Sequence, residues 1–554
     1  MTDPQNSTVQ RRALLKTGAM ASIAALGGLS FKEALAAPEG LGYRPELLPT
    51  QDDIYGWVKL VNKTYGPLRM TGGANHVGYV NWLADRFAHL PGFTLKRDTY
   101  TFKRWEADMV ADIGATLNLP DGKTVPLDVL HYYPYTGEGS LQGSVTGPII
   151  YLASDGTPPS PLANVTKLMA SPPANLADCI VVIESPCSLM PQGMDYGVYP
   201  PGLKPQAERI WVPRQGFAHG NLFGQLDGKC KGVIFCWTDV SDEAARFQYI
   251  RFSQPHRQTP ALWVGKNTAL MLKNSSGAAA TITMRLNAKV FPKTPTDTVI
   301  ATLPGRTDEV VVVVSHTDGP NICEENGALA LLALASYFSK IPLAQRKRTL
   351  VFGMVTGHCA GGAMRDEATA TGPYGIVGAD GEGFFRDHPE ITSKTVAAIG
   401  VEHLGGMEWL DDPTHTHYAA SGMVEAEHWH VGTPNAQGAP LSAGLQTMAD
   451  LTLSAAQGEP ADLLRMEIEK SGGQPSPMVG GALARGIVTM GLIPVPSYLL
   501  LASPSGSIEK MNPKRMKTQI EILAKMMVIL EKLTADQIRG LAPTSAADLD
   551  PHRA

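Results

Sequence analysis

The chain has little that would place it among nucleic-acid-binding, disulfide-knit or membrane-spanning proteins. Its 554 residues carry a formal net charge of -5, so there is no basic footprint for a polyanion. Six cysteines in that length are too few to act as a scaffold. Cys179/Cys187 and Cys230/Cys236 lie near enough in sequence to pair in an oxidising compartment. Past the N-terminus no segment approaches the ~18 uninterrupted apolar residues of a membrane span. There is no Gly-x-Ser-x-Gly elbow, which removes the usual mark of an α/β serine hydrolase. What is present is ordinary globular material, 44% apolar and 18% charged, and long enough for two or three domains.

The first residues read as an address. Gln10-Arg11-Arg12-Ala13-Leu14-Leu15-Lys16 resembles a twin-arginine export signal. A largely apolar run from Gly18 to Phe31 and the small-residue site Ala34-Leu35-Ala36 follow it. Residues 1–37 are therefore assigned to an export leader. The expected location is periplasmic or secreted, with no membrane attachment once the leader is removed.

Residues 38–142 carry a helix from Val77 to His89, with Val80, Trp82, Leu83, Phe87 and Leu90 at helical spacing, and a strand from Phe93 to Phe102. Between 143 and 290 the pattern changes to short β runs separated by Pro/Gly loops, which predicts an inserted β-rich module. From 291 to 540 strands and helices alternate, the signature of a largely parallel sheet. Strands are expected at Val299–Leu303, over the valine run 310–314, at Thr349–Val355, Thr395–Val401 and Pro496–Leu501. A helix apolar on most of its circumference is expected from Gly327 to Ser339. A long amphipathic helix opens at Pro513 and runs to about Leu533. Residues 541–554 form a tail.

Chemistry gathers at three strand ends. The valine strand runs into His316-Thr317-Asp318, with Asp318 placed to orient the His316 ring. Cys323, Glu324 and Glu325 follow in the loop before Gly327. The next strand ends before His358 and Cys359, and the one after before Glu402 and His403. Parallel strands put such groups at one edge of one sheet, where open α/β sheets bind ligands. Histidine, cysteine and carboxylate are zinc ligand types. The same residues admit plainer readings. Glu324 and Glu325 are favourable acids at a helix N-terminus, and Cys323 and Cys359 could pair. A further cluster of Trp, His and acidic residues between Trp409 and His430 reads as a polar hairpin or as a wall beside the site.

The stretches TVIATLPGRTDEVVVVVSHTDG, EENGALALLALA and RKRTLVFGMVTGHCAGG resemble the zinc aminopeptidase and glutamate carboxypeptidase family. YGPLRMTGGANHVGYVNWLADRF resembles its N-terminal part. The resemblance spans nearly all of the chain after the leader. It implies an α/β, mostly parallel-sheet metallopeptidase-like domain, with 143–290 as an inserted protease-associated domain. Family members hold two zinc ions through five side chains and use a Glu as base. His316 matches the first His ligand and Asp318 the residue that orients it. Cys323 or Glu324 stands at the bridging Asp, His358-Cys359 at the Glu-Glu pair, and His403 at the later Asp. Ala502-Ser503 stands where the last His belongs. The expectation is a rebuilt centre for one divalent ion, zinc, held by His316, Glu324, His358 and His403, with Cys359 as an alternative ligand. Asp318, Glu325 and Glu402 are the expected catalytic carboxylates, one of the two glutamates acting as base. The function implied is hydrolysis of an amide or peptide bond in a small-molecule or peptide substrate. The rival is a non-catalytic binding protein on the same frame.

Overall fold

The computed structural model describes Leu41–Arg553 except 139–142, 158–159, 188, 191–196, 199–208, 211–219, 250–253, 278, 367–369, 373–379, 434–442 and 470–476. The export leader expected at 1–37 lies outside the described residues.

Four parallel strands form the centre of a nine-stranded mixed sheet. They are β1 (Val310–His316), β2 (Thr349–Val355), β3 (Thr395–Val401) and β4 (Val488–Leu492), in spatial order β2-β1-β3-β4. Every residue of β1, β3 and β4 is buried, as continuous apolar runs in a doubly covered sheet require. Their register brings the carboxyl ends level: His316 pairs with Val355, Val314 with Gly400, and Val401 with Leu492. The helix α1 (Gly327–Ser339) has no polar face and is buried against these strands and the helices Gln51–Thr64, Ala74–Ala88 and Pro513–Lys532. Pro513 opens that last helix, with Asn512 capping the Arg515 amide.

The strand expected at Pro496–Leu501 is not one. The fourth parallel strand is Val488–Leu492, and the chain then passes through Pro494 and Pro496, which lack the amide protons a central strand needs. The freed segment turns back over the sheet edge, and Asn321 donates to the carbonyls of Tyr498, Leu499 and Leu501.

A long antiparallel ribbon, Thr94–Glu106 against Lys289–Leu303, leads out of the main sheet and back into it. Between its two arms lies a second sheet of eight strands, drawn from Ile113 to Leu286. Its centre, Ile180–Ser185 beside Gly232–Trp237, is buried throughout. The Asn287 amide donates to the Asp112 carbonyl where the two arms meet. All six cysteines are free thiols. Cys179 and Cys230 turn their sulfurs to the carbonyls of Asn175 and Leu226 one helical turn back instead of to a partner cysteine. Among the described residues no helix is long and apolar enough to cross a membrane.

Candidate metal centre

The level strand ends set the site. His316 closes β1 with its ring fully buried. Its Nδ1 lies 2.8 Å from the Asp318 carbonyl. A carbonyl can only accept, so Nδ1 carries the proton and Nε2 presents a lone pair. The orienting contact thus comes from the backbone of Asp318. The Asp318 carboxylate accepts from the Thr71 hydroxyl and from the Cys359 amide at 2.7 Å. Thr317 is fixed from behind: the Gly72 amide donates to His76 Nδ1, so His76 Nε2 donates to the Thr317 hydroxyl at 2.8 Å.

The loop after Asp318 is held at both ends. Gly319 pairs with Arg69 through two backbone hydrogen bonds. A side chain at Gly319 would meet Glu324 Cγ at 2.6 Å and Glu325 Oε2 at 2.7 Å, so the stem of Glu324 and the carboxyl of Glu325 occupy the space that glycine leaves. Asn326 donates to the Leu404 carbonyl and accepts its amide, both at 2.8 Å, which ties the Glu324 loop to the loop carrying Glu402 and His403. Gly327 lets α1 start directly on the strand ends; a Cβ there would lie 2.1 Å from the Val401 carbonyl oxygen and 2.2 Å from Ser315 Oγ.

His403 has φ 58°, a left-handed backbone that costs a histidine on the order of 1–3 kcal/mol. Its Nδ1 donates to the Pro494 carbonyl at 2.8 Å, so Nε2 is again the acceptor. His358 follows Gly357, itself left-handed, and stacks on His316 with centroids 4.3 Å apart.

These residues close into a ring. Glu402 Oε2 lies 3.7 Å from His316 Nε2 and 3.6 Å from His403 Nε2. Glu324 spans the other side, Oε2 at 3.4 Å from His403 Nε2 and Oε1 at 3.8 Å from His358 Nε2. Burial governs the charges. It lowers His403 to about 3 and His316 well below the usual range, where the neighbouring His358 and His403 lower it further. It raises Glu324 far above the carboxylate range, against the pull of His358. Glu325 stands apart from the ring in a fully buried ion pair with Arg69 and is pushed up to about 7, burial outweighing the guanidinium.

The strand ends thus bring His316, Glu324, His358, Glu402 and His403 together, with Glu325 beside them and Asp318 behind. Cys359 turns its sulfur to the Asp318 carbonyl, 3.5 Å away, and burial raises its thiol well above the usual range. Cys323 packs with Tyr498 and Leu501. The residues of the 409–430 cluster serve other contacts: His415 binds Asp411 at 2.7 Å, Trp429 lies in the core with its indole on Glu427, and Trp409 lies under Lys510. Sequence reasoning missed Arg69, His76, Asn326 and Pro494. The only local signal is the alternation Arg69-x-Thr71, which puts both side chains on one face of an extended segment.

No protein-family model and no curated protein matches the chain. Solved structures do match its shape. An aminopeptidase from Aneurinibacillus sp. strain AM-1 is 13% identical, with 87% of this chain and 95% of that one covered and a TM-score of 0.51. A peptidase M28 precursor from Shewanella amazonensis SB2B gives 15%, 86%, 92% and 0.57. BSAP, a zinc aminopeptidase from Bacillus subtilis, gives 13%, 89%, 98% and 0.54. The chain shares the fold of these peptidases. At these identities the likeness concerns the fold, and the chemistry must be argued from the residues present.

Within that fold the ring fits a metal ion. His316 Nε2, His403 Nε2 and Glu324 Oε2 are buried and have no hydrogen-bond partner. With both imidazoles neutral, the two Nε2 atoms are lone pairs with no donor within hydrogen-bond distance, beside a Glu324 carboxyl whose proton a cation would replace. A buried group of that kind calls for a cation. Imidazole and carboxylate are donors that divalent transition metals take.

Proposed function

We propose that this chain is an exported, metal-dependent hydrolase that cleaves an amide or peptide bond in a peptide or small-molecule substrate. One divalent ion is held by His316, Glu324, His358 and His403. The observation that carries this reading is the pair of buried Nε2 lone pairs, on His316 and His403, that lack a hydrogen-bond partner and lie beside the carboxyls of Glu324 and Glu402. An ion there would act as a Lewis acid, polarising the scissile carbonyl or drawing down the pKa of a water molecule. His316 and His403 present Nε2 because their Nδ1 protons are committed to backbone carbonyls. Glu325 is the base. Its Oε1 is held by Arg69, and its Oε2, which has no hydrogen-bond partner, is placed beside Glu324 to take a proton and return it to the leaving nitrogen. Asp318 is a positioning residue, gripping His316 through its carbonyl and the Cys359 amide through its carboxylate. The leader at 1–37 delivers the folded protein through the twin-arginine route, and the β-rich module expected at 143–290, whose sheet also draws in strands from Ile113 onward, acts as an inserted protease-associated-like module.

The test is elemental analysis of the purified protein and of a His316→Ala, His403→Ala double variant, with hydrolysis of aminoacyl and peptidyl amides measured with and without chelator. One ion per chain, absent from the variant, with chelator-sensitive turnover, is the expected result. A bound ion without turnover of any amide or ester would leave a binding protein on a hydrolase frame. No bound ion after reconstitution would sink the metal reading.

A further inference from the structure

Two sets of donors can be drawn, each with its own ligand atoms within 4.8 Å of one another: His316, Glu402 and His403, and His316, Glu324 and His358. Both contain His316. Its Nδ1 is committed to the Asp318 carbonyl, so the one lone pair at Nε2 is all it can give. One nitrogen lone pair serves one ion, so the two sets cannot each hold an ion of their own. Glu324 joins them, one oxygen toward His358 and the other toward His403. Glu402 closes the remaining gap between His316 and His403. The third donor type near the site is absent from the ring, because Cys359 is turned to a backbone carbonyl.

Resting on the metal reading above, we infer that Glu402 is a fifth ligand. The centre binds a single ion through three imidazole nitrogens and two carboxylate oxygens and leaves one exchangeable position. That donor set differs from a catalytic zinc site, where three protein ligands and a water make a tetrahedron. It suits ions that accept five or six hard and borderline donors, such as Mn2+, Fe2+ or Co2+, and the lack of a thiolate points the same way. With a single open position, substrate carbonyl and attacking water cannot both sit on the ion. The water must then be held by protein groups, and Glu325 Oε2 is the carboxylate atom placed to do so.

Cobalt(II) tests this directly, because its visible bands are weak in five- and six-coordinate sites and intense in four-coordinate ones. Chelator-stripped full-length protein is titrated with Co2+, and affinity is compared between the parent and Glu402→Ala. The expected result is one equivalent bound with weak bands, and at least about a ten-fold loss of affinity in the variant, the size found when a metal centre loses a supporting group. Intense four-coordinate bands in the parent, or unchanged affinity in a folded Glu402→Ala, overturn the five-donor centre and leave the metal reading standing. If the variant does not fold, the parent spectrum alone decides. No cobalt uptake by the parent, or two equivalents of equal affinity, overturns the single-ion reading itself. Weak bands in a protein that hydrolyses no amide leave this inference intact and remove the hydrolase.

Discussion

Replacing Arg69 by Met separates the charge of Glu325 from its fold. Both side chains are fully buried, and the Glu325 carboxyl titrates at about 7 because burial raises it and Arg69 pulls it back. In the parent this raised carboxyl contributes stability that is complete below the unfolded value of 4.5 and is lost as pH rises through about 7. Below pH 7 the carboxyl is protonated in both proteins. There the variant loses the Arg69 guanidinium's hydrogen bonds to the uncharged Glu325 carboxyl and to the Gly66 carbonyl, worth about 2 kcal/mol together. Above pH 7 the parent ionises Glu325 against Arg69. The variant has no counter-charge and must hold the proton, which costs about 1.4 kcal/mol for each further pH unit. The difference should therefore grow from about 2 kcal/mol near pH 6 to about 5 kcal/mol near pH 9, the range for breaking a buried ion pair from one side. Urea unfolding of chelator-stripped parent and variant at both pH values measures it. An equal difference at the two, or a smaller one at the higher pH, would refute the assignment of Glu325 as the titrating partner.

Three more outcomes are expected. Metal uptake should release protons and weaken as pH falls, because burial holds Glu324 far above the usual carboxylate range and the ion must expel that proton; calorimetry in buffers of different ionisation enthalpy counts them, and uptake without release contradicts the site. Asn326→Ala removes both bonds to Leu404 and should lower metal affinity by about 10–100-fold while costing about 1–3 kcal/mol in thermal unfolding; an unchanged affinity would show that the two loops hold themselves. Gly327→Ala drives a methyl into the Val401 carbonyl and should cost about 3 kcal/mol or more, so a melting temperature equal to the parent's would be incompatible with this packing.

Much of the fold was legible because burial on two faces leaves a strong mark. The valine run, Thr349–Val355, Thr395–Val401 and Gly327–Ser339 fall where continuous apolar character puts them. The error at Pro496–Leu501 has the same root. That segment is as apolar as a strand but is buried as a turn over Asn321, and apolar character alone cannot separate the two. The site was legible as residue types at strand ends. Which member of each adjacent pair turns inward was not. Glu402 and His403 both face the ring because His403 adopts a left-handed backbone that Pro494 holds in place, a contact 91 residues away in sequence.

By itself the sequence determined the parallel sheet, the edge at which chemistry collects, and the histidines and carboxylates available there, because these follow from local period and residue type. The tertiary structure decided the rest. It chose the Asp318 carbonyl over its carboxylate as the partner of His316, and set Arg69 against Glu325 across 256 residues. It also closed five donors into one ring. Such choices depend on which atoms meet when distant segments are buried together and each polar group must find a partner, and no local pattern encodes that.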